Sequence, residues 1–159
     1  MNKKLRNKIL SMAKKDQKMR RSGKWDFLVD KKNTAELKKI IESYGWPDIP
    51  LVGKIGSMNA WLIAQHADHD LKFQKKCLKL MEKKLKEKKI ELQYYPYLKD
   101  RVLVNSGKTQ IFGTQFYHHK TKGLVPRPIY DIKNIDRRRK KYKLGPFEEY
   151  RKHIQNLKK

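Results

Sequence analysis

Residues 58–85 read MNAWLIAQHADHDLKFQKKCLKLMEKKL, a stretch without Gly or Pro. On a helical wheel its apolar residues fall in one broad stripe, and its lysines fall on the opposite side. The apolar stripe consists of Leu62, Ile63, Ala67, Leu71, Phe73, Cys77, Leu78, Leu80, Met81 and Leu85, and the opposing lysines are Lys72, Lys75, Lys76, Lys79 and Lys83. With Ser57 as N-cap, this pattern predicts one long central helix from about Met58 to beyond Leu85.

Polar residues interrupt the apolar stripe of this helix. His66, Asp70 and Gln74 are spaced i, i+4 and i+8 and lie inside the stripe. Asp16 and Arg20 lie in the same way on the apolar face of the first predicted helix. Burying an uncompensated carboxylate costs several kcal/mol, so we expect the polar residues of the two helices to meet in one shared cluster. In the structural alternative, each helix carries only an ordinary i, i+4 polar pair.

Two helices precede the central one. Apolar residues recur at helical spacing from Lys3 to Arg21, and Ser22-Gly23 ends this pattern. Asn33, followed three positions later by Glu36 as in a capping box, predicts the start of the second helix. Gly45 is the expected end of that helix.

The C-terminal half mixes helix and strand signals. A fourth helix is predicted to start after Pro96 and to end at Gly107. Thr109–His118 and Leu124–Tyr130 are rich in β-branched and aromatic residues and flank a Lys122-Gly123 turn signal. This arrangement predicts a β-hairpin.

The last segment, from Asn134, is basic and helical in pattern, with an interruption at Gly145-Pro146. Without repeats or linkers, the 159 residues are in the range of a single domain. We therefore expect one domain over residues 1–159, ending in a basic tail of about residues 151–159. The predicted fold is mainly α: a compact helical domain around one long central helix, with a small β-hairpin in the C-terminal half.

Cysteine use and charge define the class of protein. The single cysteine, Cys77, excludes an intramolecular disulfide, and its place in the apolar stripe favours a buried structural thiol. The N-terminal segment lacks the apolar run of a signal peptide or membrane span, so we expect a cytoplasmic protein that does not associate with membranes. The net charge of +25 suggests polyanion partners, but 32 Lys against 9 Arg, scattered over every segment, favour a general solvated surface. Weak, non-specific nucleic-acid binding stays an alternative.

Several short motifs occur in a specific order along the chain. They are Asp16-Gln17 with Arg20, Gly45-Trp46-Pro47, residues 60–68 (AWLIAQHAD), Asp70 with Phe73-Gln74, Asp100-Arg101 and Gly113-Thr114-Gln115. Together they resemble the bacterial family called domain of unknown function 6624, over about Leu5 to Tyr150. The resemblance implies family motif positions at Asp16, Gln17, Arg20, His66, Asp70, Gln74, Asp100, Arg101, Gln110, Gln115 and Asp131, and it implies no activity.

Metal and acid–base chemistry are the two specific options for the polar residues. Of His66, Asp68, His69 and Asp70, only His66 and Asp70 share a helical face, and no HExxH or cysteine ligand set is present. Asp16 or Asp131 would have to complete a metal site. A histidine paired with a carboxylate can exchange a proton near neutral pH, which favours acid–base chemistry without a metal. Phosphate-binding loops and a nucleophile elbow are absent from the sequence.

The leading hypothesis is a small intracellular protein that binds, or transforms, a small polar or anionic ligand. The predicted catalytic residues are His66, Asp70 and Asp16, and the predicted ligand-binding residues are Arg20, Gln17, Gln74, Arg101 and Gln115; no metal is assigned and no cofactor is specified. The first alternative is a non-catalytic, sequence-independent nucleic-acid-binding domain that uses its lysine-rich surface. The second is a structural protein whose polar core fixes helix register.

Overall fold

The computed structural model describes residues 1–24 and 26–156 and is 65% helical. Within these residues there are seven α-helices and one antiparallel hairpin, so the prediction of a mainly α fold with a hairpin in the C-terminal half is confirmed. The helices are α1 (Lys3–Arg21), α2 (Phe27–Tyr44), α3 (Ile49–Gln65), α4 (Leu71–Lys86), α5 (Tyr94–Asn105), α6 (Ile135–Lys140) and α7 (Phe147–Asn156). The chain divides into two compact units, Met1–Glu91 and a second that begins at Leu92.

The first helix has the predicted bounds. Asn2 caps it, because Asn2 Oδ1 accepts a hydrogen bond from the Leu5 amide at 3.0 Å, and Ser22 follows its last residue. Its buried face consists of Leu5, Ile9, Met12, Ala13, Asp16 and Met19. Asp16 therefore lies among apolar core residues, as the helical wheel predicted.

The second helix starts seven residues earlier than predicted, with Asp26 and not Asn33 as its N-cap. Asp26 Oδ1 accepts from the Leu28 amide at 2.9 Å. Asn33 lies inside α2, where its buried Nδ2 donates to the Met12 carbonyl at 3.3 Å. The capping box predicted at Asn33 is therefore wrong, because the upstream Asp26 already satisfies the first amides of the helix. Gly45, with φ of 73°, ends the helix as predicted.

The predicted long central helix is two helices. Asp48 caps α3 through the Leu51 amide at 3.1 Å, and Ser57 is a buried residue within α3 rather than a cap. The chain leaves the helix at His66 and resumes it after Asp70, whose Oδ1 accepts from the Phe73 amide at 2.9 Å. A continuous helix from Met58 to Leu85 is therefore wrong, because the aspartate side chain replaces the helical carbonyl that the Phe73 amide would otherwise use.

The core of the first unit lies between α1, α2, α3 and α4. The first helix packs against α2 and α3, and α3 also packs against α2 and α4. Fully buried apolar residues such as Ile9, Leu37, Val52 and Trp46 fill the space between them. Because α4 buries Phe73, Cys77, Leu78 and Met81, its opposite side faces solvent.

The second unit has the predicted order of elements with shorter strands. The helix α5 starts two residues before Pro96 and ends before Gly107. Strands β1 (Phe116–His119) and β2 (Gly123–Pro126) pair antiparallel, with Phe116 opposite Pro126. A short 3-10 helix, Ile132–Asn134, precedes α6, and α7 packs against β2. Of the predicted basic tail, residues 151–156 belong to α7, and residues 157–159 lie outside the described residues.

Candidate functional site

A buried carboxylate organises the polar residues of the first unit. The Asp16 side chain is 1% exposed, and its oxygens accept hydrogen bonds from two neighbours on α1: Arg20 Nε donates to Oδ1 at 3.0 Å, and Gln17 Nε2 donates to Oδ2 at 2.7 Å. His66 Nδ1 lies 2.9 Å from Oδ1 and 3.0 Å from Oδ2. Three of the four polar residues predicted to meet, Asp16, Arg20 and His66, thus lie together.

A second buried carboxylate, Asp30, holds the other side of Arg20. The Asp30 side chain is 3% exposed, and Arg20 Nη2 donates to both of its oxygens at 2.9 and 3.1 Å. We refer to Asp16, Gln17, Arg20, Asp30 and His66 as the Asp16 cluster. Asp30 is not among the predicted site residues, because the capping box at Asn33 and Glu36 predicts a later start of the second helix. The available signal was Asp26 as a cap, which places Asp30 on the buried face of α2.

The contacts of the imidazole assign its tautomer. Nδ1 faces both oxygens of Asp16 and also lies 3.0 Å from Arg20 Nε. We place the proton on Nδ1, because a lone pair there would point at two carboxylate oxygens, whereas Arg20 Nε, the donor beside Nδ1, keeps Asp16 Oδ1 as its acceptor. In the neutral ring this leaves a lone pair on Nε2, which has no hydrogen-bond partner within the described chain. The His66 side chain is 15% exposed.

The pKa values of the two buried carboxylates of the cluster, Asp16 and Asp30, are shifted in opposite directions. Burial raises the pKa of Asp16, but the hydrogen bond and charge of His66, with the contributions of Gln17 and Arg20, outweigh it and hold this pKa below its usual range. Burial also raises the pKa of Asp30; the Arg20 charge opposes this effect, the Asp16 charge adds to it, and the net pKa is raised. Asp16 is thus the carboxylate best suited to stay ionised beside the imidazole.

The loop that carries His66 is held by residues of α4. Gln74 is fully buried, and its Nε2 donates to the carbonyls of Ala64 and Gln65 at 3.3 Å and to Asp68 Oδ1 at 3.1 Å. This amide therefore ties the end of α3 and the following loop to α4. These bonds of Gln74 go to residues on both sides of His66 and not to His66 itself.

Asp70 has other partners than His66 in the structure. Its Oδ1 caps α4, and its Oδ2 accepts from Lys38 Nζ at 2.6 Å. Both bonds, with the Lys38 bond the stronger influence, lower the pKa of Asp70. The predicted shared helical face of His66 and Asp70 is wrong, because His66 is the C-cap of α3 and the two residues lie on opposite ends of a loop.

Two predicted ligand-binding residues, Arg101 and Gln115, lie in the second unit. Arg101 Nη1 donates to Gln115 Oε1 at 3.3 Å. Gln115 Nε2 donates to Thr114 Oγ1 at 3.1 Å and to the Tyr97 carbonyl at 3.4 Å. These two side chains form a polar pair of their own beside α5.

Asp100 shapes the loop that carries this pair. Its fully buried carboxylate accepts from the amides of Ile111, Phe112 and Thr114 at 2.8 to 3.1 Å and from the Thr114 hydroxyl at 3.0 Å. Burial raises the pKa of Asp100, and these donors offset only part of that effect. Gln110, also fully buried, closes the loop by bonding the Gln115 backbone through both ends of its amide. Both residues have the contacts of a structural loop anchor.

The remaining metal-ligand candidates do not converge. Across the described residues, no three His, Cys, Asp or Glu side chains are placed to hold a metal ion. Asp131, a candidate to complete such a site, is exposed and bonds Asn134 and Arg138 instead. Cys77 is fully buried, and burial raises the pKa of its thiol, which suits a structural residue.

Comparison with known proteins places this arrangement in a family. The model of a family of unknown function, DUF6624, matches residues 3–158. The chain belongs to that family. The DUF6624 match spans both units and confirms the resemblance carried by the ordered motifs. No curated protein and no solved structure matches the chain. Among the helices within residues 1–24 and 26–156, none has the length and apolar character needed to span a bilayer.

Proposed function

We propose that the Asp16 cluster binds a small polar ligand and that His66 Nε2 accepts a hydrogen bond or a proton from it. One observation carries this proposal: the imidazole is anchored through Nδ1 on a buried carboxylate, and its Nε2 has no hydrogen-bond partner among residues 1–24 and 26–156. The His66 side chain is 15% exposed, and Nε2 is not one of the buried side-chain atoms of the described residues that lack a partner, so it can be approached from outside the core. A histidine held in this way is the usual arrangement of a general base.

Four residues of the cluster have distinct parts in the proposal. The ligand places an O–H or N–H group against Nε2, and any proton it loses moves to that nitrogen. Asp16 then stabilises the imidazolium through Nδ1–H. Arg20 fixes the orientation of Asp16, and Asp30 fixes Arg20 through its paired bonds.

The charges of the cluster favour a neutral or hydrogen-donating ligand over an anion. Arg20 already contacts two carboxylates, so with both ionised and His66 neutral the cluster carries a net charge of about −1. Protonation of His66 brings this sum only to neutrality. An anionic ligand would therefore find no unpaired positive charge in the cluster. This favours the neutral polar ligands over the anionic ones among the ligands expected from the sequence.

The structural alternative is that the cluster only fixes the packing of α1, α2 and α3. A buried charged network is an expensive way to gain stability, since apolar residues in place of such pairs often fold as well or better. In addition, the part of the chain that the structure describes offers no hydrogen-bond partner to Nε2, which a purely structural network does not explain. These two points support a ligand site over a purely structural network.

Ligand-dependent thermal shifts test the proposal. We would screen sugars, nucleosides and hydroxyamino acids, each beside its phosphorylated form. A neutral ligand at 100 times its Kd raises the free energy of unfolding by about 2.7 kcal/mol. In a chain of this size, that change raises Tm by about 5 to 10 °C. His66→Gln should abolish that shift while its own Tm without ligand stays measurable. Shifts given only by the phosphorylated forms, or kept in His66→Gln, would contradict the proposal.

A further inference from the structure

A continuous row of lysines runs along the solvent side of α4. On a helical wheel six lysines fall within an arc of about 100°, and no other residue type of α4 lies in that arc. All six are exposed. This lysine stripe consists of Lys72, Lys75, Lys76, Lys79, Lys83 and Lys86. The lysines are dispersed along the sequence, but α4 gathers these six on one surface.

The charges of the lysine stripe are uncompensated. Within the described residues, none of the six forms an ion pair, whereas Lys84 on the flank of α4 is paired with Asp48 and Glu87. A surface depression of about 430 Å³ lies among Lys72, Lys75, Lys76, Lys79 and Leu80. Another, of about 340 Å³, shares Lys72 and Lys76 with it and is also lined by Glu42 and by the Lys38–Asp70 pair, so the acidic groups lie at one edge of the stripe. The stripe is therefore an open, positively charged surface.

We propose that the lysine stripe binds the phosphate backbone of duplex nucleic acid. The stripe is about 21 Å long at 1.5 Å per residue, and a duplex carries about 12 phosphates over that length. Lysines act as flexible point charges that neutralise phosphates and do not read base edges. Binding is therefore independent of sequence and steeply dependent on salt. This surface is distinct from the Asp16 cluster and does not depend on the ligand proposed there.

The composition of α4 favours a duplex over the other polyanions. A helix that lies in a membrane surface inserts apolar side chains, but Phe73, Cys77, Leu78 and Met81 are buried in the core of the first unit. Proteins that bind single strands stack bases on aromatic side chains, and the lysine stripe contains none. Backbone contact with a duplex requires only the charges that the stripe presents.

The salt dependence of binding tests the proposal quantitatively. For duplex DNA, log K falls with log salt with a slope of about −0.9 per phosphate contact. In the 159-residue chain, the combined substitutions Lys72→Ala, Lys75→Ala, Lys76→Ala and Lys79→Ala should reduce the magnitude of this slope by about 3 to 4. Fluorescence anisotropy with a labelled duplex of random sequence measures it between 50 and 200 mM salt.

A matched control separates the stripe from net charge. Replacing Lys3, Lys14, Lys15 and Lys18 of α1 by alanine also removes four exposed charges, and it should change the slope by less than 1. If the first variant does not fold, the triple variant Lys75→Gln, Lys79→Gln and Lys83→Gln should still reduce the slope by about 2 to 3. Equal effects of the α1 and α4 variants would overturn the proposal. So would an absence of duplex binding at 50 mM salt, or preferential binding to phosphatidylserine vesicles that depends on the stripe.

Discussion

His66 Nδ1 lies 2.9 Å from Asp16 Oδ1, although 50 residues separate the two along the chain. The bond joins the middle of the buried face of α1 to the residue that ends α3. Because Asp16 is almost fully buried, its partners determine whether the charge is tolerated in the core. Removing His66 or Arg20 therefore disturbs the packing of α1 on α3 as well as any ligand site.

The opposite pKa shifts of Asp16 and Asp30 predict opposite effects of their amide variants on acid stability. The pKa of Asp16 is lowered in the fold, so its contribution is present above its ordinary value of 3.8 and is lost as pH falls through the lowered pKa. The pKa of Asp30 is raised, so its contribution is present below 3.8 and is lost as pH rises through the raised pKa. Asp16→Asn should therefore flatten the rise of unfolding free energy with pH in the acid range, and Asp30→Asn should steepen it.

Urea unfolding at half-unit steps from pH 3 to pH 6 measures both slopes. At neutral pH, Asp16→Asn should also cost about 1 to 3 kcal/mol, because its amide cannot accept all three hydrogen bonds of the carboxylate. Wild-type protein and Asp26→Asn, a variant at an exposed N-cap, serve as references. Changes of the same sign in the Asp16 and Asp30 variants would contradict the assignment.

The combination of helix periodicity, helix-ending glycines and turn residues in the sequence was sufficient to predict most of the fold. It predicted α1 to the residue, the end of α2 at Gly45, the hairpin and the helical C-terminal segment. It could not predict the break between α3 and α4, since residues 66–70 contain no Gly or Pro and continue the apolar spacing. That break depends on a side-chain bond from Asp70 to a backbone amide, which competes with the helical bond by a small free-energy difference.

Asp16, Arg20 and His66 of the candidate site were predicted to meet, but the long helix on which His66 was placed is wrong. Asp16 and Arg20 were correctly placed on the core face of α1. His66 reaches them from the end of α3 and not from the middle of a longer helix. Asp30 was missed because Asn33 and Glu36 also fit a capping box, and local sequence alone does not decide between two competing caps.

The buried amide of Gln74 should control the mobility of the loop that carries His66. Gln74→Met keeps the volume but leaves two carbonyls and Asp68 without their donor, so we expect a loss of about 1 to 3 kcal/mol. Amide hydrogen exchange of residues 66–70 should accelerate more than that of α1. The matched control is Lys75→Met on the exposed face of the same helix. Unchanged exchange in the loop would show that Gln74 does not position His66.

Two substitutions at Asp70 separate its contribution as the N-cap of α4 from the catalytic role predicted for it. Asp70→Ser retains an N-cap oxygen for the Phe73 amide, whereas Asp70→Ala removes it and should cost about 1 kcal/mol. Because Asp70 bonds Lys38 and not His66, we expect both variants to keep the ligand-dependent Tm shift of the wild type. Loss of that shift in a stable Asp70→Ser protein would instead assign Asp70 to the ligand site.

The substitution His66→Gln distinguishes a structural histidine from one that serves a ligand. Glutamine keeps some of the size and hydrogen-bonding capacity but cannot titrate near neutral pH. Disturbing the buried bond to Asp16 should cost about 1 to 3 kcal/mol in urea unfolding, whichever role His66 has. Ligand binding separates the two roles, because only the ligand site requires the lone pair on Nε2.

Two further variants make this comparison specific. His66→Asn places an amide nitrogen near the position of Nδ1, so it should retain more of the bond to Asp16 and more stability than His66→Gln. His69→Gln changes an exposed histidine of the same loop and should alter neither stability nor binding. We expect both His66 variants to lose the ligand-dependent Tm shift, because the asparagine amide does not reach the position of Nε2 and the glutamine amide oxygen that can lie there does not take a proton. If His66→Gln is destabilised but binds ligand as the wild type does, His66 has only the structural role.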